Sequence, residues 1–555
     1  MSTPTALAVH LAAAARKPTG IRAIEHDGRA SWLPYATLAE EAYAIAGALG
    51  ACGLSTGDRV ALVVPEVSDF IRAFFGISAA GLVPVPLCPP AQAGDLATFA
   101  RQSHHLLAAS RAAAVVTSID VAPLLDVAGV VPDARVLTVD RLRRGTPIDG
   151  PVMVDADAIA LLQFTSGSTA APKGVVLTHA NVAANVSAII AADRLAITDR
   201  DVAVSWLPLY HDMGLIGMLL CAVFAGIDAV VMSPVLFLKR PSAWLEAIST
   251  YRGTVSFAPN FAYDLCRRRV KPSQIAALDL SSWRIAGCGA EPIRAGTLRG
   301  FSETFAAAGF RAASFVPSYG LAEHSVAVAL ALDGLHVDVV DAERLVRDAI
   351  AAPVVNGSPS VRLVGCGRAF PGHALRVVDE WMHELPERHV GAIVVRGPSV
   401  MRGYFEEAAG EVLQGGWLRT GDLGYLANGE LYVCGRTRDV IIRQGRKYHP
   451  ADLEATIAEL RGVPLSGVVV FGVSQIDEPD AVVAVVEARA SMRADEVEER
   501  VRRRIRETAG LEIDRIVVTA PGTIPRTTSG KVRRAETRTR LEAGTLGAAV
   551  GMVRS

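Results

Sequence analysis

The segment Gln163–His179, QFTSGSTAAPKGVVLTH, carries the densest chemistry in the chain. Its centre, Thr165 to Gly174, holds two Thr, two Ser, two Gly and one Lys in ten residues. Hydroxyls and glycine amides let a backbone wrap phosphate oxygens, and a lysine adds a point charge. The apolar runs Ala158–Leu162 and Val175–Leu177 predict a strand on each side, so the loop belongs to a hairpin. A Walker-type loop has its lysine after the glycine and a helix next. Here Lys173 precedes Gly174 and a strand follows. This is a different phosphate loop.

Further residues of the right type follow at intervals. His211 and Asp212 open an apolar helix within Ser205–Leu220, where free amides collect; Asp212 reads as a cap, and His211 leads a helix fit to wall a pocket. Gly289-Ala290-Glu291-Pro292 is a small-residue turn against which a flat ring can lie. In SYGLAEH, Ser318 to His324, Tyr319 offers a stacking face and Glu323 a carboxylate suited to Mg²⁺ beside phosphates. Asp422, in GDLGY, can accept from both hydroxyls of a ribose, and Arg436, in CGRTRD, can face phosphate. Lys531 stands in a Thr/Ser/Gly turn near the C-terminal end.

These groups need a large scaffold. The 555 residues, half of them apolar, predict two or more domains with substantial cores. Strand–helix–strand alternation, as in Leu38–Cys52 (helix), Arg59–Val64 (strand), Val67–Ala80 (helix), Phe99–Ala113 (helix) and Ala114–Thr117 (strand), predicts parallel sheets covered by helices. After residue 437 the pattern predicts a small α+β unit: strands at Val440–Arg443, Gly467–Gly472, Ala481–Ala488 and Arg515–Val518, helices at Asp452–Glu459 and Ala494–Thr508. A formal net charge of −1 gives no support for nucleic-acid binding. Seven scattered cysteines read as reduced thiols. With no signal-peptide order and no apolar run of about 18 residues, a cytoplasmic protein without a transmembrane segment is expected, monomeric or weakly dimeric.

In this order the segments closely resemble the adenylate-forming, AMP-binding superfamily of acyl-CoA synthetases, luciferases and peptide-synthetase adenylation domains. The resemblance runs from about residue 30 to about residue 535. It implies an α/β fold: a large N-terminal AMP-binding domain, residues 1–437, of helix-covered sheets plus a small β-barrel, and a small mobile C-terminal domain, residues 438–555. It implies that Thr165, Ser166, Gly167, Ser168, Thr169 and Lys173 close over the phosphates of ATP. Ala290, Glu291, Tyr319 and Gly320 would bracket adenine, Asp422 the ribose, and Arg436 the ribose–phosphate edge; Arg446 joins the nucleotide contacts. Glu323, with Thr165, would hold Mg²⁺, and Lys531, Glu323 and His211 would be the catalytic set. Arg438 matches the hinge, and Ala170 departs from the usual loop pattern.

Within the superfamily, VPVPLCPP, SWLPLYHDMGLIG, SYGLAEHSV and IIRQGRKYHPADLEATI look like the fatty-acyl-AMP ligases. These activate a fatty acid and pass it to the phosphopantetheine thiol of a holo acyl carrier protein, discriminating against free coenzyme A. The long connection Ala331–Val364, with its amphipathic stretch DVVDAERLVRDAI, matches their insertion. Met218, Leu219, Phe224 and Trp244 are candidates for an acyl tunnel. No carrier domain follows Lys531, so the acceptor is expected in trans. Two alternatives stand: a medium- or long-chain acyl-CoA synthetase, and a non-catalytic acyl-nucleotide-binding protein.

Overall fold

A computed structural model describes residues 6–90, 96–127, 135–165, 173–355, 358–407, 412–443, 446–460, 463, 465–475, 478–489, 492–526 and 532–547. Its largest sheet has nine strands, in the order Arg368–Ala369, Ala327–Leu330, Phe315–Gly320, Ile285–Cys288, Val255–Ala258, Val202–Ser205, Asp228–Met232, Gly20–Ile24 and Ala30–Pro34. From Phe315–Gly320 to Gly20–Ile24 the pairing is parallel; antiparallel strands close both edges. Helices cover the inner strands, and Val255–Ala258 and Ile285–Cys288 are buried at every residue, as continuous apolar strands of a parallel sheet must be. A second parallel sheet runs Val83–Pro86, Arg59–Val63, Ala114–Thr117, Arg135–Thr138.

Three antiparallel units complete the fold. Ile159–Thr165 and Lys173–Thr178 form the predicted hairpin, and the short strand Gly403–Tyr404 adds to its Lys173 side. Ala374–Val378, Gly391–Arg396, Trp417–Ala427, Leu413–Gln414 and Glu430–Arg436 make a five-stranded sheet where the small barrel is expected. Its hairpin turn is Asn428-Gly429, both in the left-handed region. Near the C-terminus, Leu465–Gln475, Glu478–Ala488 and Arg515–Thr519 form a sheet packed by the helices Pro450–Ala458 and Ala494–Ala509.

The apolar interior divides with the chain. One core runs from Leu7 to Leu431, and another joins residues from Ile441 to Ile516. Beside the second core Arg534, mostly buried, donates to Asp439 Oδ2 (2.6 Å), Glu454 Oε1 (2.8 Å) and the Val470 carbonyl (3.0 Å). All seven cysteines are free thiols, five of them buried. Among the described residues no helix is long and apolar enough to cross a membrane.

The tunnel candidates divide. Trp244 is fully buried, donates to Ser256 Oγ (2.8 Å) and packs against Trp206, Phe237, Tyr263 and Trp283. It belongs to the core, because its one polar atom is already satisfied there. Phe224 stacks on His10 at 3.5 Å. Leu219 is fully buried, and Met218 lines an apolar cavity with Ile189, Leu195, Ala222 and Phe257. The helix after His211 is also not plainly α: Leu215–Leu220 is a π-helical turn, a form that often marks functional sites.

Three buried histidines set an acid limit on stability. Burial lowers His179, His324 and His449 to about 4, and His179 Nδ1 accepts the Leu7 amide (3.2 Å), which only the neutral ring can do. In the unfolded chain a histidine titrates near 6.5, so the unfolded state takes the proton first. The contribution of these histidines is therefore complete above about pH 6.5 and is lost as pH falls from there toward 4, by up to about 3 kcal/mol per histidine. A His179→Gln variant is expected to flatten the decline of Tm across this window. An unchanged slope would show that His179 is not one of the groups responsible.

Candidate functional site

The parallel sheet delivers most of the candidate residues to one edge. His211 follows Val202–Ser205, Ala290 and Glu291 follow Ile285–Cys288, and Tyr319, Gly320 and Glu323 end or follow Phe315–Gly320. All three strands point their carboxyl ends the same way, and that is where open α/β sheets bind ligands. Gly320 is required by close approach: a Cβ there would sit 1.9 Å from the Val326 carbonyl. Beyond it, Ser325 has φ +64, in a tight turn closed by the Val326 amide on the His324 carbonyl (2.8 Å). Such backbone is strained and persists only where its surroundings hold it.

The hairpin Trp417–Ala427/Glu430–Arg436 brings the sugar-binding candidates to the same place. Asp422 and Arg436 are register partners, with Arg436 Nε 3.3 Å from Asp422 Oδ1. The Tyr319 hydroxyl donates to Asp422 Oδ2 (2.7 Å), joining the two strand systems through one buried bond. Burial pushes the Asp422 carboxyl up, against the pull of Arg436 and Tyr319. Tyr319 is only 8% exposed, so its ring is core as much as platform.

Glu323 is held twice: its carbonyl accepts from Met401 N (2.9 Å), and its Oε1 from the Tyr404 hydroxyl (2.8 Å). Burial raises its carboxyl, and the nearby Asp212 charge adds to the rise. Lys173 lies across the same tyrosine, its Nζ 4.7 Å from the ring centre and 2.7 Å from Glu407 Oε2. Gln163, nearly fully buried, donates to the Tyr210 carbonyl (2.8 Å), tying the phosphate hairpin to the loop before His211. His211 is itself the N-cap, its Nδ1 2.5 Å from Asp212 Oδ1. The cap expected at Asp212 is thus shared with its neighbour, because the helix begins one residue earlier than the charge pattern indicates.

Two expected contacts take another form. The Glu291 carboxylate accepts from Phe261 N (2.6 Å), serving the start of the helix Asn260–Arg269; Ala290, at φ +65, leaves the turn's backbone as the surface on offer. Arg446 is exposed on the strand Arg446–Tyr448, with no side-chain partner among the described residues. The side chain of Thr165, residues Ser166, Gly167, Ser168, Thr169 and Ala170, and Lys531 lie outside the described residues. Sequence reasoning passed over Tyr404 and Glu407. Their signal was two aromatics and two acids in RGYFEE, too ordinary to stand out until the fold sets them beside Lys173.

The donor chemistry fits a phosphate-bound Mg²⁺. No group of three or more His, Cys, Asp or Glu converges among the described residues, so a metal cage of protein ligands is not what these residues form. One buried carboxylate, Glu323, matches the way Mg²⁺ is held by one or two carboxylates together with substrate phosphates.

Residues 11–405 match the family model of AMP-binding enzymes, and the chain belongs to that family. It is 38% identical over 534 residues to a Caulobacter vibrioides protein provisionally named an acyl-CoA synthetase, spanning 93% of this chain and 91% of that one. It is 34% identical over 542 residues to JamA of Moorena producens, a medium-chain-fatty-acid–[acyl-carrier-protein] ligase, over 93% and 90% of the two chains. Among solved structures, a fatty acyl-adenylate ligase from a set of E. coli and L. pneumophila enzymes superposes with a TM-score of 0.90 at 37% identity, covering 98% of each chain.

Proposed function

We propose that this chain activates a fatty acid as its acyl-adenylate at the expense of ATP and then transfers the acyl group to the phosphopantetheine thiol of an acyl carrier protein. The carboxylate of the acid attacks the α-phosphorus of ATP; the bond to pyrophosphate breaks, and pyrophosphate leaves. Asp422 and Arg436 hold the ribose side of the nucleotide, Ala290, Glu291, Tyr319 and Gly320 bracket adenine, and Thr165–Thr169 with Lys173 enclose the phosphates. Glu323, with Thr165, would hold Mg²⁺, which neutralises phosphate charge when bound. Positioning and charge neutralisation carry such a step, with little covalent work for the protein. His211, beside the apolar π-helical turn, faces the carboxylate end of the acid. Met218 and the cavity it lines receive part of the chain.

The observation that carries the choice of acceptor is the packing of the connection 331–364. Its strands Val337–Asp341 and Ser360–Val364 pair with each other, and Val340, Leu345 and Leu363 bury against Tyr425, Tyr432 and Cys434 of the ribose hairpin. Asp338 accepts from the Tyr425 hydroxyl (2.7 Å) and from Arg388 (3.0 Å). The expected amphipathic stretch is half strand and half helix, and Val346 of the helix Ala342–Asp348 reaches the core built from Ile441 to Ile516. The insertion thus touches both sides of the proposed boundary at residues 437/438, where Arg438 is the proposed hinge. A brace of this kind opposes the rotation that thioester formation with free coenzyme A needs.

The Caulobacter relative's name favours a second reading, acyl-CoA synthesis by the same site. Mass spectrometry of the products from Mg-ATP, a chain-length panel of fatty acids, and either free coenzyme A or a holo carrier protein separates the two. Acyl-adenylate and acyl-carrier are the expected products. Acyl-CoA formed as fast as acyl-carrier would replace the first reading with the second, and no pyrophosphate with any acid would leave a binding protein.

A further inference from the structure

One short segment, Met401–Glu407, is laced to both halves of the phosphate-handling site. The Met401 amide bonds the Glu323 carbonyl (2.9 Å), the Arg402 amide the Val176 carbonyl (3.0 Å), and the Phe405 amide the Gly174 carbonyl (2.7 Å). Gly403 and Tyr404 stand in register with Val176 and Val175, so Tyr404 is fixed two residues from Lys173 on the neighbouring strand. From there its hydroxyl reaches Glu323 Oε1 and its ring carries the Lys173 ammonium. Glu407 supplies Lys173 with a second partner from the same segment.

We propose that Tyr404 is a positioning residue that yokes Lys173 to Glu323, so that the lysine meant for the phosphates and the carboxylate meant for the metal are set by one side chain. The inference rests on the assignment of Lys173 and Glu323 given above. Its physics is separable by atom. The hydroxyl makes a charge-assisted bond that orients the carboxylate through Oε1. The ring face attracts the ammonium without neutralising it. A carboxylate already oriented has less reorganisation to undergo when charge develops on the transferring phosphate, and that is where fixed polar groups gain their effect.

The atoms can be removed one at a time. Tyr404→Phe deletes the hydroxyl and keeps the ring; Tyr404→Leu deletes both. Binding of α,β-methylene-ATP, followed by calorimetry with and without Mg²⁺, reads the two halves apart from turnover. Tyr404→Phe is expected to bind the analogue like the parent without Mg²⁺, to lose most of the gain that Mg²⁺ gives, and to release pyrophosphate about tenfold more slowly. Tyr404→Leu should weaken the Mg²⁺-free binding as well, severalfold, through Lys173. A purely structural tyrosine would lower Tm and weaken binding equally in both conditions, and that result overturns the proposal. So does a Tyr404→Phe protein that keeps the full Mg²⁺ gain and the parent rate. A parent protein that binds the analogue but releases no pyrophosphate with any fatty acid counts against the proposed function, while the calorimetry still decides the role of Tyr404.

Discussion

Replacing Lys531 with alanine is expected to slow acyl-adenylate formation by roughly 10²–10³-fold while folding and ATP binding persist. The reasoning is that the lysine meets charge that develops only as the α-phosphorus is attacked, so its loss falls on the transition state. The chain on either side of it is anchored without its help. Arg526 and Val532 form a bridge, Arg533 N bonds the Pro525 carbonyl (2.9 Å), and Ile524 N bonds the buried Glu487 carboxylate (2.8 Å). Arg534 then clasps Asp439 and Glu454. The substitution therefore removes a charge and leaves the supporting structure in place. Pyrophosphate release, Tm and nucleotide affinity measured side by side check it; release near the parent rate would end the assignment of Lys531.

Asp422→Ala should raise the Michaelis constant for ATP about tenfold or more and leave that for the fatty acid within about twofold. A ribose contact is present before and during the reaction, so its loss appears chiefly as weaker binding. Asp422 has a second duty, however: it receives the Tyr319 hydroxyl and faces Arg436. Alanine takes from the buried Tyr319 hydroxyl its carboxylate acceptor, at a cost of about 1–3 kcal/mol in stability. Asp422→Asn, which can still accept from Tyr319, is the companion that separates the two effects. If the asparagine protein regains stability but not ATP affinity, the carboxylate is the sugar ligand. A loss confined to fatty-acid affinity in both variants would remove Asp422 from the nucleotide site.

Much of this architecture is legible before any coordinates. Periodicity locates Ala114–Thr117 to the residue, and Arg59–Val64 and Val67–Ala80 to within one residue of their ends, because those signals are local. The hairpin around the phosphate loop follows from two apolar runs and a small-residue centre. What local signals do not carry is pairing across the sheet. Nothing in SYGLAEH announces that Tyr319 bonds a carboxylate 103 positions away, or in RGYFEE that Tyr404 meets Glu323. Trp244 looks the same in sequence whether it lines a tunnel or fills a core; only its bond to Ser256 decides. Glu291 reads as a site residue and is engaged by the Phe261 amide, a contact set by the neighbouring strand.

The hairpin Trp417–Arg436 matters to anyone recombining relatives of this chain. Its Asp422–Arg436 end is the proposed nucleotide contact, while Tyr425, Tyr432 and Cys434 further along form the floor on which the connection 331–364 rests. Donor and recipient segments therefore have to be cut so that Val337–Val364 and Trp417–Arg436 travel together, although more than fifty residues separate them in the chain. A chimera that exchanges only the insertion sets foreign side chains against the hairpin that also presents Asp422, and its first symptom should be poorer use of ATP. Grafted as a pair, the two keep their shared interior, and the seam moves to Arg388, which bonds Asp338 and the Ala351 carbonyl, and to Val346, which reaches the core built from Ile441 to Ile516.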